Sequence, residues 1–260
     1  MSSSPDFLSV DGQRLEYQWH GPPPHDAPAL VFLHEGLGCV ALWRDLPAEL
    51  AAATGCGALL YSRAGYGHSD PCALPRPTTY LHHEALEVLP QVLAALEVRD
   101  HVLVGHSDGG SIALVYAGGT PAPGLRGVVT EAAHVFNEEV TVQSIRVVRE
   151  QYVQGDLRTR LAKYHDHVDA AFWGWNDTWL SDEFRVWNLE AFLPDIRVPL
   201  LALQGEDDQY GTPAQLHAIA AQTGGPCAAR LLPGCAHTPH FEQRDEVLTA
   251  VQTFVERVLE

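Results

Sequence analysis

Gly105-His106-Ser107-Asp108-Gly109 sets a serine between two glycines, each two residues away. A serine hydroxyl is a weak nucleophile unless a base takes its proton, so what matters is how the backbone presents it. The flanks indicate the presentation. Val102-Leu103-Val104 is a β-branched apolar run, and Ser111-Ile112-Ala113-Leu114 begins an Ala/Leu-rich helical pattern. A strand that passes straight into a helix carries Ser107 at the apex of a tight, strained turn, and only small residues at positions 105 and 109 let that turn close. The hydroxyl then lies at the positive end of a helix, where backbone N–H groups stabilise a developing oxyanion. The chemistry implied is acyl transfer. It needs a histidine base and an acid that holds the base in one tautomer.

Four further segments accompany this turn. Leu33-His34-Glu35-Gly36-Leu37-Gly38 follows an apolar run, and Tyr61-Ser62-Arg63-Ala64-Gly65-Tyr66-Gly67-His68-Ser69 follows another. Gly205-Glu206-Asp207-Asp208 and Gly234-Cys235-Ala236-His237 come later in the chain. In this order the five motifs resemble those of the α/β-hydrolase family, and they span most of the sequence. The resemblance implies Ser107 as nucleophile, His237 as base and Asp208 as acid, in the chain order Ser, Asp, His. His240 is the fallback base. Asp207, adjacent and chemically equivalent, and Glu131, after the sixth strand, are the alternative acids. The oxyanion donors implied are the backbone N–H of Asp108 and one from the loop at Gly36, with Leu37 the alternative for the second. Each such donor is worth about 3 kcal/mol in comparable sites. His34 matches the structural histidine of that loop, while His106 points the opposite way out of the turn. Glu35 departs from the family pattern, which has glycine there.

Asp108 carries two readings. As a first-turn residue it is stabilised by the helix dipole. Facing the pocket, its carboxylate would favour a cationic group such as the amine of an amino-acid ester. Similar Gly-x-Ser-Asp-Gly-Gly turns occur in biphenyl-hydrolase-like esterases.

The elements that must position these residues alternate. Leu8–Tyr17 reads as a β-hairpin around Asp11-Gly12. Apolar runs at Ala29–Leu33, Gly57–Tyr61, His101–Gly105, Leu125–Thr130, Pro199–Gln204 and Ala228–Leu232 read as strands. Between and after them, Thr79–Val98, Pro213–Thr223 and Gln243–Val258 read as helices. Repeated βα units imply an α/β fold, a mostly parallel central sheet with helices on both faces, with the site beyond the carboxyl ends of the strands. Residues 133–194 break the alternation. They lack a convincing strand, hold the aromatic run Ala171–Leu180, and read as a helical cap inserted between two parts of one core, 1–132 and 195–260. Most of its aromatics are expected to pack the cap onto the sheet. Trp175 and Trp179 are the expected pocket residues, beside Asp108.

Composition narrows the function further. A net charge of −17 with one lysine, Lys163, argues against nucleic-acid and anionic-membrane partners. No apolar run reaches the ~18 residues of a membrane span, and the first residues lack signal-peptide character. The five scattered cysteines read as reduced thiols of a cytoplasmic protein. No metal spacing stands out among the 14 histidines, and His82-His83 and His165-x-His167 read as solvated helix residues. The expected activity is a cofactor-free, metal-free serine hydrolase cleaving a small carboxylic ester through an acyl-enzyme. Carbon–carbon bond hydrolysis of a keto acid is the alternative, with perhydrolase or cofactor-free haloperoxidase chemistry on the same triad. The keto acid needs an arginine, and Arg63, Arg146, Arg149 and Arg185 are only distant candidates. A non-enzymatic binding protein is disfavoured because no triad member is missing.

Overall fold

Asp11 and Gly12 both adopt positive φ, 52° and 73°, the two-residue turn that matches strand twist, and fold β1 (Asp6–Val10) onto β2 (Gln13–His20). The computed structural model describes residues 5–119 and 122–260. Six further strands follow: β3 (Ala29–Leu33), β4 (Gly57–Tyr61), β5 (His101–His106), β6 (Leu125–Glu131), β7 (Leu200–Gly205) and β8 (Cys227–Leu232). They form one sheet in the order β1-β2-β4-β3-β5-β6-β7-β8. The hairpin is antiparallel to β4, and every pairing from β4 to β8 is parallel.

Parallel strands need crossovers, and the helices supply them. α1 (Leu46–Thr54) joins β3 to β4, and α2 (Tyr80–His83) and α3 (Leu89–Ala95) join β4 to β5. A wider π turn at Glu84–Val88 links α2 to α3 immediately before Pro90, whose ring has no N–H for the carbonyl of Leu86. α4 (Asp108–Gly119) leaves β5 directly. α8 (Pro213–Gln222) lies between β7 and β8, and α9 (Pro239–Glu242) and α10 (Arg244–Leu259) close the chain. All residues of β3, β4 and β5 are buried, as expected of strands covered on both faces. Alternate side chains divide between two cores: Val31 and Leu103 on one face, Phe32 and Val104 on the other.

Between β6 and β7 the chain passes through α5 (Glu139–Gln154), α6 (Leu157–Leu161), α7 (Val168–Leu180) and 3-10 turns at Glu183–Val186 and Glu190–Asp195. The isolated bridge between Phe136 and Asn188 pairs its two ends. Phe172, Trp175 and Trp179 recur at helical spacing on α7 and are buried in the same cluster as Val31 and Leu103. This insertion therefore completes a core of the sheet instead of building its own. Among the described residues no helix is long and apolar enough to cross a membrane.

Candidate active site

Ser107 has φ 53°, the left-handed region that a side chain adopts only under constraint. The glycines around it show what imposes it. A Cβ on Gly105 would run into the Gly109 carbonyl, and one on Gly109 would run into the Leu33 carbonyl. The turn is therefore locked between its own helix and the end of β3. The Ser107 N–H donates to the Glu131 carbonyl at 2.8 Å, which fixes it to β6 as well.

Two loops, after β7 and after β8, bring side chains to the serine. Ser107 Oγ donates to His237 Nε2 at 3.0 Å, and His237 Nδ1–H donates to Asp208 Oδ1 at 2.8 Å. This direction follows from the carboxylate, which can only accept. Asp208 Oδ1 also accepts the amides of Tyr210 at 2.8 Å and Gly211 at 3.3 Å. Burial pushes the Asp208 carboxyl up, but the hydrogen bond and charge of His237 and the Tyr210 amide outweigh it and hold it below its ordinary value. Asp207 next door is exposed, and only its amide is engaged, to the Cys235 carbonyl. Glu131 and His240 meet each other instead: Glu131 Oε2 accepts the His240 amide at 3.0 Å and Nδ1–H at 2.9 Å.

The loop after β3, expected to supply an oxyanion donor, is held from behind. Arg63 Nη1 donates to the His34 carbonyl at 2.6 Å and Nη2 to the Glu35 carbonyl at 3.1 Å. A trans peptide sets its N–H opposite its C=O, so the Gly36 N–H is turned away from Arg63, on a residue that lines the cavity over Ser107. His34 is fully buried and bridges the same pieces, donating from Nδ1 to the Glu35 carbonyl and accepting the Arg63 amide at Nε2. On the other side, the Asp108 N–H belongs to the first turn of α4 and has no helical acceptor.

The cavity measures about 130 Å³. Asp108, Trp175 and Trp179 line it, as do Gly36 and Leu37, whereas Trp173 and Trp187 do not. Gly36 has no room for a side chain because the Trp175 indole nitrogen occupies that position. The Asp108 side chain is 1% exposed and already engaged, accepting from Tyr80 Oη at 2.6 Å and lying 3.7 Å from Arg63 Nη2. Of its two sequence readings, the one with a carboxylate free to face a cation is corrected: its charge is spent on Arg63 and Tyr80. Arg63 is correspondingly not distant from the site, as expected from its sequence position, but sits beneath it with its charge compensated.

Five lining residues, Glu35, His134, Thr141, Ile145 and Tyr210, carry no sequence expectation as pocket groups. Glu35 presents a carboxylate about a third exposed (31%) and 3.7 Å from His106 Nδ1. Burial pushes it up, but the facing His106 prevails and draws the Glu35 carboxyl down to about 2. His106 also donates from Nε2 to the His237 carbonyl at 2.7 Å. Burial lowers its pKa, yet Glu35, Glu131 and that carbonyl together raise it above the ordinary value. His134 is buried beside Trp179, and burial with the nearby His237 lowers it to about 3, so it stays neutral. Tyr210 stacks obliquely on His237, centroids 4.6 Å apart, and Ile145 closes the apolar wall. The proximity of Tyr210 to Asp208 in sequence was a usable signal; nothing in the sequence marks His134 or Ile145.

His165 is a second correction. Its expected place was a solvated helix face; instead it is 4% exposed, accepting the Gly67 amide at 2.9 Å and donating to the Leu37 carbonyl at 3.0 Å. It ties the insertion to the oxyanion loop.

Sheet, turn and loops together define a family. A model of the alpha/beta hydrolase family matches residues 30–250, and the chain belongs to that family. A search of the curated proteins finds no significant match. Among solved structures the chain is similar to VinJ, at 23% identity and TM-score 0.71, covering 98% of this chain and 99% of that one. It is also similar to the enol-lactonase from Burkholderia xenovorans LB400, at 20% identity and TM-score 0.72, covering 96% and 99%. The esterase EaEST from Exiguobacterium antarcticum matches at 17% identity and TM-score 0.72, covering 97% and 100%. These likenesses concern the fold.

Proposed function

We propose that the chain is a serine hydrolase that cleaves a small carboxylic ester through an acyl-enzyme, with no cofactor needed for any step. The observation that carries this reading is the chain of hydrogen bonds from Ser107 to His237 to Asp208 at the floor of the cavity. His237 takes the Ser107 proton as the oxygen attacks the ester carbonyl. The Asp108 and Gly36 N–H groups receive the oxyanion, and His237 returns the proton to the departing alcohol. Water then attacks the acyl-enzyme by the same path. The esterases and the lactonase among the structural neighbours agree with this reaction class.

The charge of the pocket favours the ester over an anionic keto acid. Glu35 is the exposed charge at the oxyanion loop, and Nη1 and Nη2 of the 1% exposed Arg63 are directed to backbone carbonyls and Asp108. A carboxylate substrate would meet repulsion with no guanidinium to receive it. Residues 133–194 serve in this reading as a cap, with Trp175 and Trp179 bounding the acyl or alcohol group. The test is a panel of short-chain esters and a keto acid with wild type and Ser107→Ala. Ester turnover is expected to fall at least ~10³-fold in the variant, at unchanged circular dichroism. Retained turnover would move the chemistry away from Ser107.

A further inference from the structure

Tyr80 stands between two cavities. Its hydroxyl donates to Asp108 and accepts from Trp179 Nε1 at 2.9 Å, two residues of the site above, while Tyr80 itself also lines a second cavity of about 230 Å³. That second cavity opens beside the β1–β2 turn and the loop that follows β4. The proposed ester chemistry makes no use of it.

Glu84 lies in its wall, 8% exposed, in the π turn before Pro90. Neither of its carboxylate oxygens accepts a hydrogen bond from a described residue, and Oε2 is buried with no partner at all. The nearby cations are committed elsewhere. Arg76 donates to Cys72 Sγ, to Tyr66 Oη at 3.0 Å and to the Ala64 carbonyl at 2.8 Å. His83 faces Asp11 at 3.8 Å. Burial pushes the Glu84 carboxyl up, and the more distant charges of Arg63, Arg76 and His83 offset this only in part. A carboxylate with one oxygen sealed from water and no donor on either is costly, and a cation with N–H groups at the other oxygen offsets its charge.

We propose that this cavity binds a small organic ammonium ion, its N–H groups on Oε1 of Glu84, the carboxylate oxygen that is not sealed from the cavity, and its hydrocarbon part against Leu15, Val88 and Pro77. Asp11, with its side chain 60% exposed, stands on the same cavity wall and adds a second negative charge along the approach, while Arg76 and His83 of that wall are held by the contacts given above. The chain's net charge of −17 favours cations over anions at every surface entrance. A neutral alcohol of the same shape could bond to Glu84 but would leave its charge uncompensated. A carboxylate would be repelled.

Calorimetric titration of the full chain with cyclohexylammonium chloride tests this, with cyclohexanol and cyclohexanecarboxylate as controls of equal size. Saturable binding of the ammonium alone is expected. Glu84→Gln should weaken it at least tenfold, and Ala73→Trp, which obstructs the cavity from its exposed rim, should do the same. If Glu84→Gln does not fold, Ala73→Trp decides the matter. Absence of saturable binding, equal binding of the two controls, or unchanged binding in the folded variants overturns the proposal. The last result would assign the ammonium to another place, including the cavity over Ser107. Ser107→Ala should bind as wild type does, so loss of ester chemistry leaves this outcome readable.

Discussion

Two carboxylate–histidine pairs lie side by side at the ends of the sheet, chemically alike and differently placed. Asp208–His237 and Glu131–His240 have nearly equal hydrogen bonds, 2.8 and 2.9 Å, and both carboxylates are 1% exposed. The rings differ. His237 is 12% exposed and its Nε2 meets Ser107 Oγ, whereas His240 is 3% exposed and packs on Trp43 at 5.2 Å. In the proposed mechanism, orientation relative to the serine, more than the strength of the pair, separates the base from a structural brace. Glu131 accepts two bonds from one residue, amide and ring, which pins the start of α9 to the end of β6. Asp208 divides its bonds among His237, the backbone of its own loop and, at 3.5 Å, Gln204 Nε2.

The largest expected effect breaks this comparison at the acids. Asp208→Asn should lower ester turnover by about 10⁴-fold, because an amide no longer enforces the His237 tautomer. Stability should change much less. Glu131→Gln should do the reverse: turnover within a few-fold, but a loss of about 3–5 kcal/mol in denaturant unfolding, the cost of leaving one partner of a buried pair uncompensated. Steady-state kinetics and urea titration of the two variants side by side decide it. Similar kinetic losses from both would mean that the two pairs act as one unit.

A smaller effect involves a third pair, Glu35–His106, which links the oxyanion loop to the His237 carbonyl. Glu35 has a folded value of about 2, below its ordinary 4.5, so its contribution is present above about 4.5 and is lost as pH falls through 2. His106 is raised, so its contribution is present below its ordinary 6.5 and is lost as pH rises through its folded value. Both are charged between these limits. Glu35→Gln should therefore destabilise the protein more near about pH 5.5 than near about pH 9. With Glu35 about a third exposed (31%), the difference should be on the order of 1 kcal/mol. A pH-independent loss would show that Glu35 acts through packing over Gly38, where its carboxylate lies.

The strands were legible in sequence almost to the residue, because β3 to β7 are short apolar runs bounded by glycine, proline or charge. Burial on both faces leaves no other element for such runs to form. The spacing of the motifs also indicated that Ser107, Asp208 and His237 follow strand ends, and the fold brings the three together. Contacts between loops far apart in sequence were not legible. His165 reaches Gly67 and Leu37, 98 and 128 residues away, yet its polar neighbours make it read as solvated. Glu131 and His240 were visible only as separate substitutes for acid and base, since no periodicity encodes that they pair. The Asp108 charge looked available for the same reason: its partners, Arg63 and Tyr80, come from other loops.

The most direct measurement of the central claim is mass-spectrometric mapping of the adduct left by a fluorophosphonate, which reacts with a serine only when a base activates it. The account predicts one adduct per chain, on the peptide containing Ser107, absent in Ser107→Ala and formed far more slowly in His237→Ala and Asp208→Asn. Glu131→Gln should label at close to the wild-type rate. An adduct on another residue, or ester hydrolysis that continues after Ser107 is lost, would contradict it.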